Sequence, residues 1–137
     1  MVRADVAQKK IARAAAWLDK ANATYARPVD ELRVDEAGRD LAAFYLFLAI
    51  QEAIDLAAHW VADAGWTPPD DVGSTFDVLA AHGAIDPPLS VEMRDTVRVR
   101  NRIAHGYASV DHERIHAEAP AGIATLRRFL AAVAAGV

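Results

Sequence analysis

The sequence predicts an all-α protein, an antiparallel bundle of about five helices forming a single domain over residues 1–137. Alanine, leucine and arginine dominate, and the period-two alternation of strands is scarce. Apolar residues recur at steps of three and four, most clearly from Leu41 to Leu56. Residues that start and stop helices punctuate the rest of the chain.

The first helix is expected from about Val2 to Ala23, with Val6, Ile11, Ala15 and Leu18 on its apolar side. Arg27-Pro28 closes that region, since the residue before proline is pushed out of the helical conformation. Asp35 can cap a second helix reaching to about Ala64. Leu41, Phe44, Tyr45, Leu48, Glu52 and Leu56 make one of its sides mostly apolar. Gly65 to Asp71 is a loop by its proline and aspartate content. Ser74 with Asp77 resembles a capping box that opens a short helix, and Gly83 ends it. Asp86-Pro87 starts the next helix with proline in the first turn, where its missing N–H costs little. That helix should stop at Gly106. Asp111 can cap a last helix to about Ala135, which Pro120 and Gly122 should kink or split. No repeat, low-complexity tract or interdomain linker interrupts this order.

The chain has no cysteine, which removes disulfides, thiolate nucleophiles and thiolate metal ligands. MVRADVAQKK lacks the apolar core of a signal peptide. The most apolar stretch, Leu41 to Ile50, is too short to span a bilayer and runs into Glu52 and Asp55. The expectation is a cytoplasmic protein with no membrane partner and a buried second helix.

The net charge of −4 argues against a general nucleic-acid binder, but the charge is uneven. From Asp40 to Met93 there are nine acidic residues and no Lys or Arg. Arg94, Arg98, Arg100 and Arg102 then follow, opposed only by Asp95. Either a local anion site or an ordinary charged helix face fits this pattern. Arg94, Arg98 and Arg102 form a row that can face RNA phosphates or the acidic stretch.

The segment Arg98 to Tyr107 carries the chemistry. A histidine moves protons near neutral pH. An arginine grips phosphate with two donors and keeps its charge. Together they suffice to cleave RNA through its own 2′-hydroxyl, with no metal. Helix geometry sets Arg100 and His105 about 140° apart with about 7.5 Å of rise, so a straight helix does not put them on one face. Closure across a dimer interface removes that difficulty, as does a turned side chain beside Gly106. The plainer reading is a helix-terminal cation and a hydrogen-bonding imidazole. Both fit the residues alone.

Other candidates divide in the same way. Asp55 and His59 stand four apart, as a metal pair can, but HExxH is absent. Asp55 can instead support the motif by orienting His105. His112 and His116 share that spacing and read as solvated positions. Asn101 can hold Arg100 or bind RNA. Trp17, Trp60 and Trp66 read as core or interface residues. Neither a phosphate-cradling glycine loop nor a nucleotidyltransferase motif is visible.

Arg100-Asn101-x-x-x-His105-x-Tyr107 resembles the R-x4-H-x-Y motif of HepT-like proteins of the HEPN superfamily. Arg98 also meets the looser superfamily spacing, but Asn follows Arg100 and the branch with the trailing Tyr uses four intervening residues. Ile50 to Ala57 with His59 is similar to the family's second helix. Phe76-Asp77-Val78-Leu79 with Gly83-Ala84-Ile85 is similar to its short helix and turn. Val110-Asp111 and Phe129-Leu130 match the ends of its last helix. The likeness covers about residues 40–135, and Pro120 and Gly122 depart from it. It implies a metal-independent endoribonuclease toxin without cofactor or bound metal, acting as a homodimer with Arg100 and His105 as the catalytic pair. It also implies a minimal nucleotidyltransferase antitoxin that transfers AMP to Tyr107. The alternative within the fold is a non-catalytic interaction module that binds such a partner.

Overall fold

The computed structural model describes residues 3–106 and 110–136. Six helices follow one another: α1 (Ala4–Tyr25), α2 (Val29–Arg33), α3 (Glu36–Asp63), α4 (Val72–Ala81), α5 (Pro87–Gly106) and α6 (His112–Ala135). No strand occurs among the described residues, as the sequence predicted.

α3 is the centre of the bundle and packs against α1, α4, α5 and α6. It is long and apolar enough to cross a membrane, yet half of its most apolar window is buried within the bundle. Its buried positions, among them Ala42, Ala43, Leu46, Leu56, Trp60 and Val61, cover an arc of about 200° of the helix. The expected apolar side is therefore only partly the buried one. Leu41 and Phe44 are about half exposed, whereas Glu52 and Leu56 are buried. Alanines explain the difference: α1 buries Ala7, Ala14, Leu18 and Ala21 with Tyr25, and α3 buries Ala42, Ala43, Ala49, Ala53 and Ala57. Small side chains let two helix backbones approach closely, so large residues were not needed to mark that contact. Phe76 of α4 meets Phe129 of α6 edge to face at 5.3 Å in the same core.

Most helix ends fall where the sequence put them. Asp35 Oδ1 accepts from Gly38 N at 2.9 Å and caps α3. The Arg27 guanidinium, 2.8 Å from Asp35 Oδ2, and the Gly38 N–H hold that carboxyl below its usual range. Asp86 Oδ1 accepts from Leu89 N at 2.8 Å at the start of α5. Asp111 Oδ1 accepts from Arg114 N at 3.1 Å at the start of α6. Three expectations need correcting. A short helix, α2, follows Pro28 where none was predicted. The cap of α4 is Asp71, which accepts from both Ser74 N and Ser74 Oγ, so Ser74 is the third residue of the helix rather than its cap. Asp77 turns away to Ser90 Oγ and Arg94. Finally, α6 is one element through Pro120 and is not split. Ile115 and Ala119 before the proline and Ile123, Leu126, Phe129, Leu130 and Val133 after it are all buried along one stripe, which sustains the helix across the lost hydrogen bond.

Candidate functional site

α5 carries the motif. Its inward stripe runs Leu89, Met93, Thr96 and Val97, all buried. Arg100 comes seven, four and three residues after the last three, so it continues that stripe. It is half-buried, and its Nε is shielded from water and has no hydrogen-bond partner. The other arginines of α5 are paired: Arg94 with Asp77, Arg98 with Asp95, and Arg102 with Glu118. Of the row weighed between RNA phosphates and the acidic stretch, only Arg94 pairs with that stretch; Arg98 and Arg102 pair with carboxylates outside it. Arg100 is the one arginine of α5 with no carboxylate partner among the described residues. With no carboxylate engaging it, its guanidinium is available to grip an anion of another kind.

His105 lies in the last turn of α5 and is exposed. It makes no hydrogen bond to any described residue. The helix is unbroken to Gly106, so the offset of about 140° from Arg100 stands. A Cβ on Gly106 would meet Val110 Cγ2 at 2.7 Å, so glycine lets the chain pack back onto the helix end. Asn101 is half-buried beside Arg100. Tyr107, the expected acceptor of AMP, lies outside the described residues.

Asp55 does not join this cluster by any hydrogen bond. It is exposed, and its carboxylate lies 3.5 Å from Lys10 Nζ. Its neighbour Glu52 is buried and sits 3.3 Å from both Lys10 Nζ and Arg13 Nη1. That ion cluster between α1 and α3 was not foreseen, since nothing in the sequence links residues so far apart. His59 is exposed. His112 and His116 serve different partners: His112 Nε2 is 3.4 Å from Asp40 Oδ1, and His116 Nε2 is 2.8 Å from the Arg27 carbonyl. Both are half-buried rather than solvated. Burial pushes the pKa of His112 down, against the pull of Asp40, so the ring stays neutral and its Nδ1 is left without a partner. Trp60 is buried, and Trp17 and Trp66 pack against the core. Trp66 also stacks on His82 with ring centroids 4.1 Å apart.

Two openings adjoin the motif. A groove of about 570 Å³ lies between α3 and the end of α5, where Ile103 and Ala104 face Phe44 and Phe47. Another, about 720 Å³, lies between α5 and α6 and is edged by Arg98, Arg102, Arg114 and Arg128 with Glu92, Asp95 and Glu118. The first was not legible in advance, because Phe44 has the same helical periodicity as residues of the core.

An exposed imidazole and an unpaired guanidinium on one helix can move a proton and hold a phosphate, respectively. No curated protein matches the sequence. Among solved structures, the fold is similar to that of a toxin–antitoxin crystallised with AMP-PNP, with a TM-score of 0.86 at 20% identity, covering 96% of this chain and 98% of the other. It is likewise similar to the tri-AMPylated HEPN toxin of Shewanella oneidensis in complex with its MNT antitoxin, with a TM-score of 0.87 at 20% identity, covering 97% and 99% of the two chains. At that identity the likeness establishes the all-helical fold. The sequence itself carries the relationship further: residues 11–133 match the profile of the family described as ribonuclease HepT-like, and the chain belongs to that family.

Proposed function

We propose that this protein is a metal-independent endoribonuclease toxin, working as a homodimer in the cytoplasm. The observation that carries the reading is Arg100, the α5 arginine left without a carboxylate, five residues before an exposed His105. In this mechanism the RNA 2′-oxygen loses its proton to His105 and bonds to the adjacent phosphorus. The bond from phosphorus to the 5′-oxygen then breaks, and that oxygen takes up a proton. The products are a 2′,3′-cyclic phosphate and a 5′-hydroxyl. Arg100 stabilises the charge on the phosphorane-like transition state with a fork of donors. The nucleophile belongs to the substrate, so a metal-bound hydroxide is not needed. Asn101, next in the helix, supports Arg100. Asp55 is assigned no catalytic part, because its carboxylate is engaged by Lys10.

Two copies with α5 helices meeting about a two-fold axis bring one protomer's His105 toward its partner's basic residues. Regulation is assigned to a separately encoded minimal nucleotidyltransferase that transfers AMP to Tyr107. An added phosphate near Arg100 would occupy the place of RNA phosphate. A non-catalytic module predicts a histidine turned into the core, and the exposure of His105 favours the nuclease instead.

The test compares wild type, His105→Ala, Arg100→Lys and Arg98→Ala on the same preparations, with cleavage, thermal melts and mass measured together. His105→Ala should lose on the order of a hundredfold or more in rate. Arg100→Lys should also fail, because an ammonium lacks the fork. Arg98→Ala should cut nearly normally. Chelator should not matter, and coexpression with the partner should place adenylate mass on the Tyr107 peptide. A folded His105→Ala protein that cuts RNA at the wild-type rate would end this mechanism.

A further inference from the structure

Two shielded polar atoms on α3 and α5 lack partners, and they are chemically complementary. Arg100 Nε is a donor, and Gln51 Oε1 is an acceptor. Both residues are half-buried, and neither atom meets water or a hydrogen-bond partner. Helix register sets the two side chains opposite each other. Phe44 and Phe47 of α3 share a groove with Ile103 and Ala104 of α5, so the start of α3 lies against the end of α5. At the far end of α3, Ala58, Val61 and Ala62 share an opening with Val72 and Thr75 of α4, whose Asp77 bonds Ser90 near the start of α5. The two helices therefore run antiparallel. Gln51 follows Phe44 by seven residues and Phe47 by four, so it continues their side of α3 about one turn beyond the groove. Arg100 precedes Ile103 by three residues and Ala104 by four, so it continues their side of α5, again about one turn beyond the groove. In antiparallel helices those two steps lead the same way, and residues 51 and 100 come level.

We infer that Gln51 is a positioning residue for Arg100: when RNA phosphate meets the terminal nitrogens of the guanidinium, Gln51 Oε1 accepts from Arg100 Nε and fixes the plane of the fork. This rests on the ribonuclease reading above and adds a residue of α3 to it. The chemistry of the partner matters. The other three arginines of α5 are tied to carboxylates, which offset their charge. An amide is neutral, so it orients the guanidinium and leaves the full charge to the phosphate. The adjacent carboxylate, Glu52, is turned about 100° away toward α1, where Lys10 and Arg13 hold it. Pairing the two shielded groups also removes the cost that each carries alone.

The experiment compares wild type with Gln51→Met, which keeps the side-chain length and removes the acceptor, and with Gln51→Glu, which keeps an acceptor and adds charge. Each protein is given a single-stranded RNA oligonucleotide whose cut site is mapped with wild type, and binding is measured on the same RNA with 2′-methoxy groups. The Arg100 Nε–H proton resonance is followed in that bound complex and identified by its loss in Arg100→Lys. Gln51→Met should lower kcat about tenfold, the scale of one hydrogen bond to a charged group. Its binding should match wild type, and the Arg100 resonance should move upfield as the hydrogen bond is lost. Gln51→Glu should weaken binding about tenfold, because its carboxylate offsets the charge that the phosphate needs. The inference is overturned if Gln51→Met cuts at the wild-type rate, if its loss tracks a lower melting temperature, or if the Arg100 resonance stays in place. Gln51→Glu binding as tightly as wild type overturns it too, since the charge of Arg100 would then be out of reach of residue 51. In all these cases a wild type that cuts RNA leaves the ribonuclease reading standing. If wild type cuts no RNA, both fall.

Discussion

At the scale of single residues, charge partners separate the basic side chains of α5. Arg98 is exposed and tied to Asp95 within its own helix, a kind of pair worth little in water. Arg100 sits on the inward stripe and has no such tie among the described residues. Motif spacing alone admitted both residues, and burial is what distinguishes them. His112 offers a test of the site's electrostatics that is independent of catalysis. It lies among Arg39, Asp40 and Asp111; burial and Arg39 lower its pKa, and the two aspartates raise it. The net shift is below the ordinary 6.5. As pH falls through that value the unfolded chain takes up the proton first, so stability is lost down to the folded pKa and levels off beneath it. Melting temperature should therefore fall more in wild type than in His112→Asn between about pH 7.5 and about pH 5.5. Parallel curves for the two proteins would show that His112 is not held neutral.

At the scale of the element, α6 shows how packing overrides a local rule. Proline in a helix interior costs about 3 kcal/mol relative to alanine, because it removes one hydrogen bond and crowds the preceding turn. Pro120 is exposed, so its ring contributes little packing in return. Pro120→Ala should accordingly raise stability by about 1–3 kcal/mol, seen as a higher urea midpoint with an unchanged slope. A lower midpoint would mean that the proline ring has a packing role its exposure does not suggest. In α4 the local rule held but its residue was displaced. An aspartate and a serine three apart form the cap, but in the order Asp71 then Ser74 rather than the expected Ser74 then Asp77. The needs of Ser90 and Arg94 on α5 draw Asp77 away, which no local pattern records.

At the scale of the molecule, the site is one-sided within a single chain. Arg100 belongs to the inward stripe of α5, while His105 is exposed on the other side of the same unbroken helix. Val91 is 61% exposed on α5 and shares an outward face, at steps of seven and fourteen, with Arg98 and His105. A two-fold packing of α5 helices along that face would cover the valine and build a composite groove. Light scattering at micromolar concentration should give twice the chain mass of 14.8 kDa. A monomer that cuts RNA at full rate would show that one chain is sufficient.

The sequence by itself determined the helical class, the order and most of the limits of the long helices, and the motif on α5. Those depend on local periodicity, on capping side chains and on proline, all of which act within a few residues. Tertiary structure decided which of four arginines stays unpaired, because the partners Asp77 and Glu118 come from other helices. It brought the Asp55 carboxylate within 3.5 Å of Lys10 and gathered Arg39, Phe44 and His112 at one groove. Burial and pairing are properties of surfaces brought together from distant parts of the chain. The spacing of residues along a helix says which side chains share a face, and only the packed bundle says what that face meets.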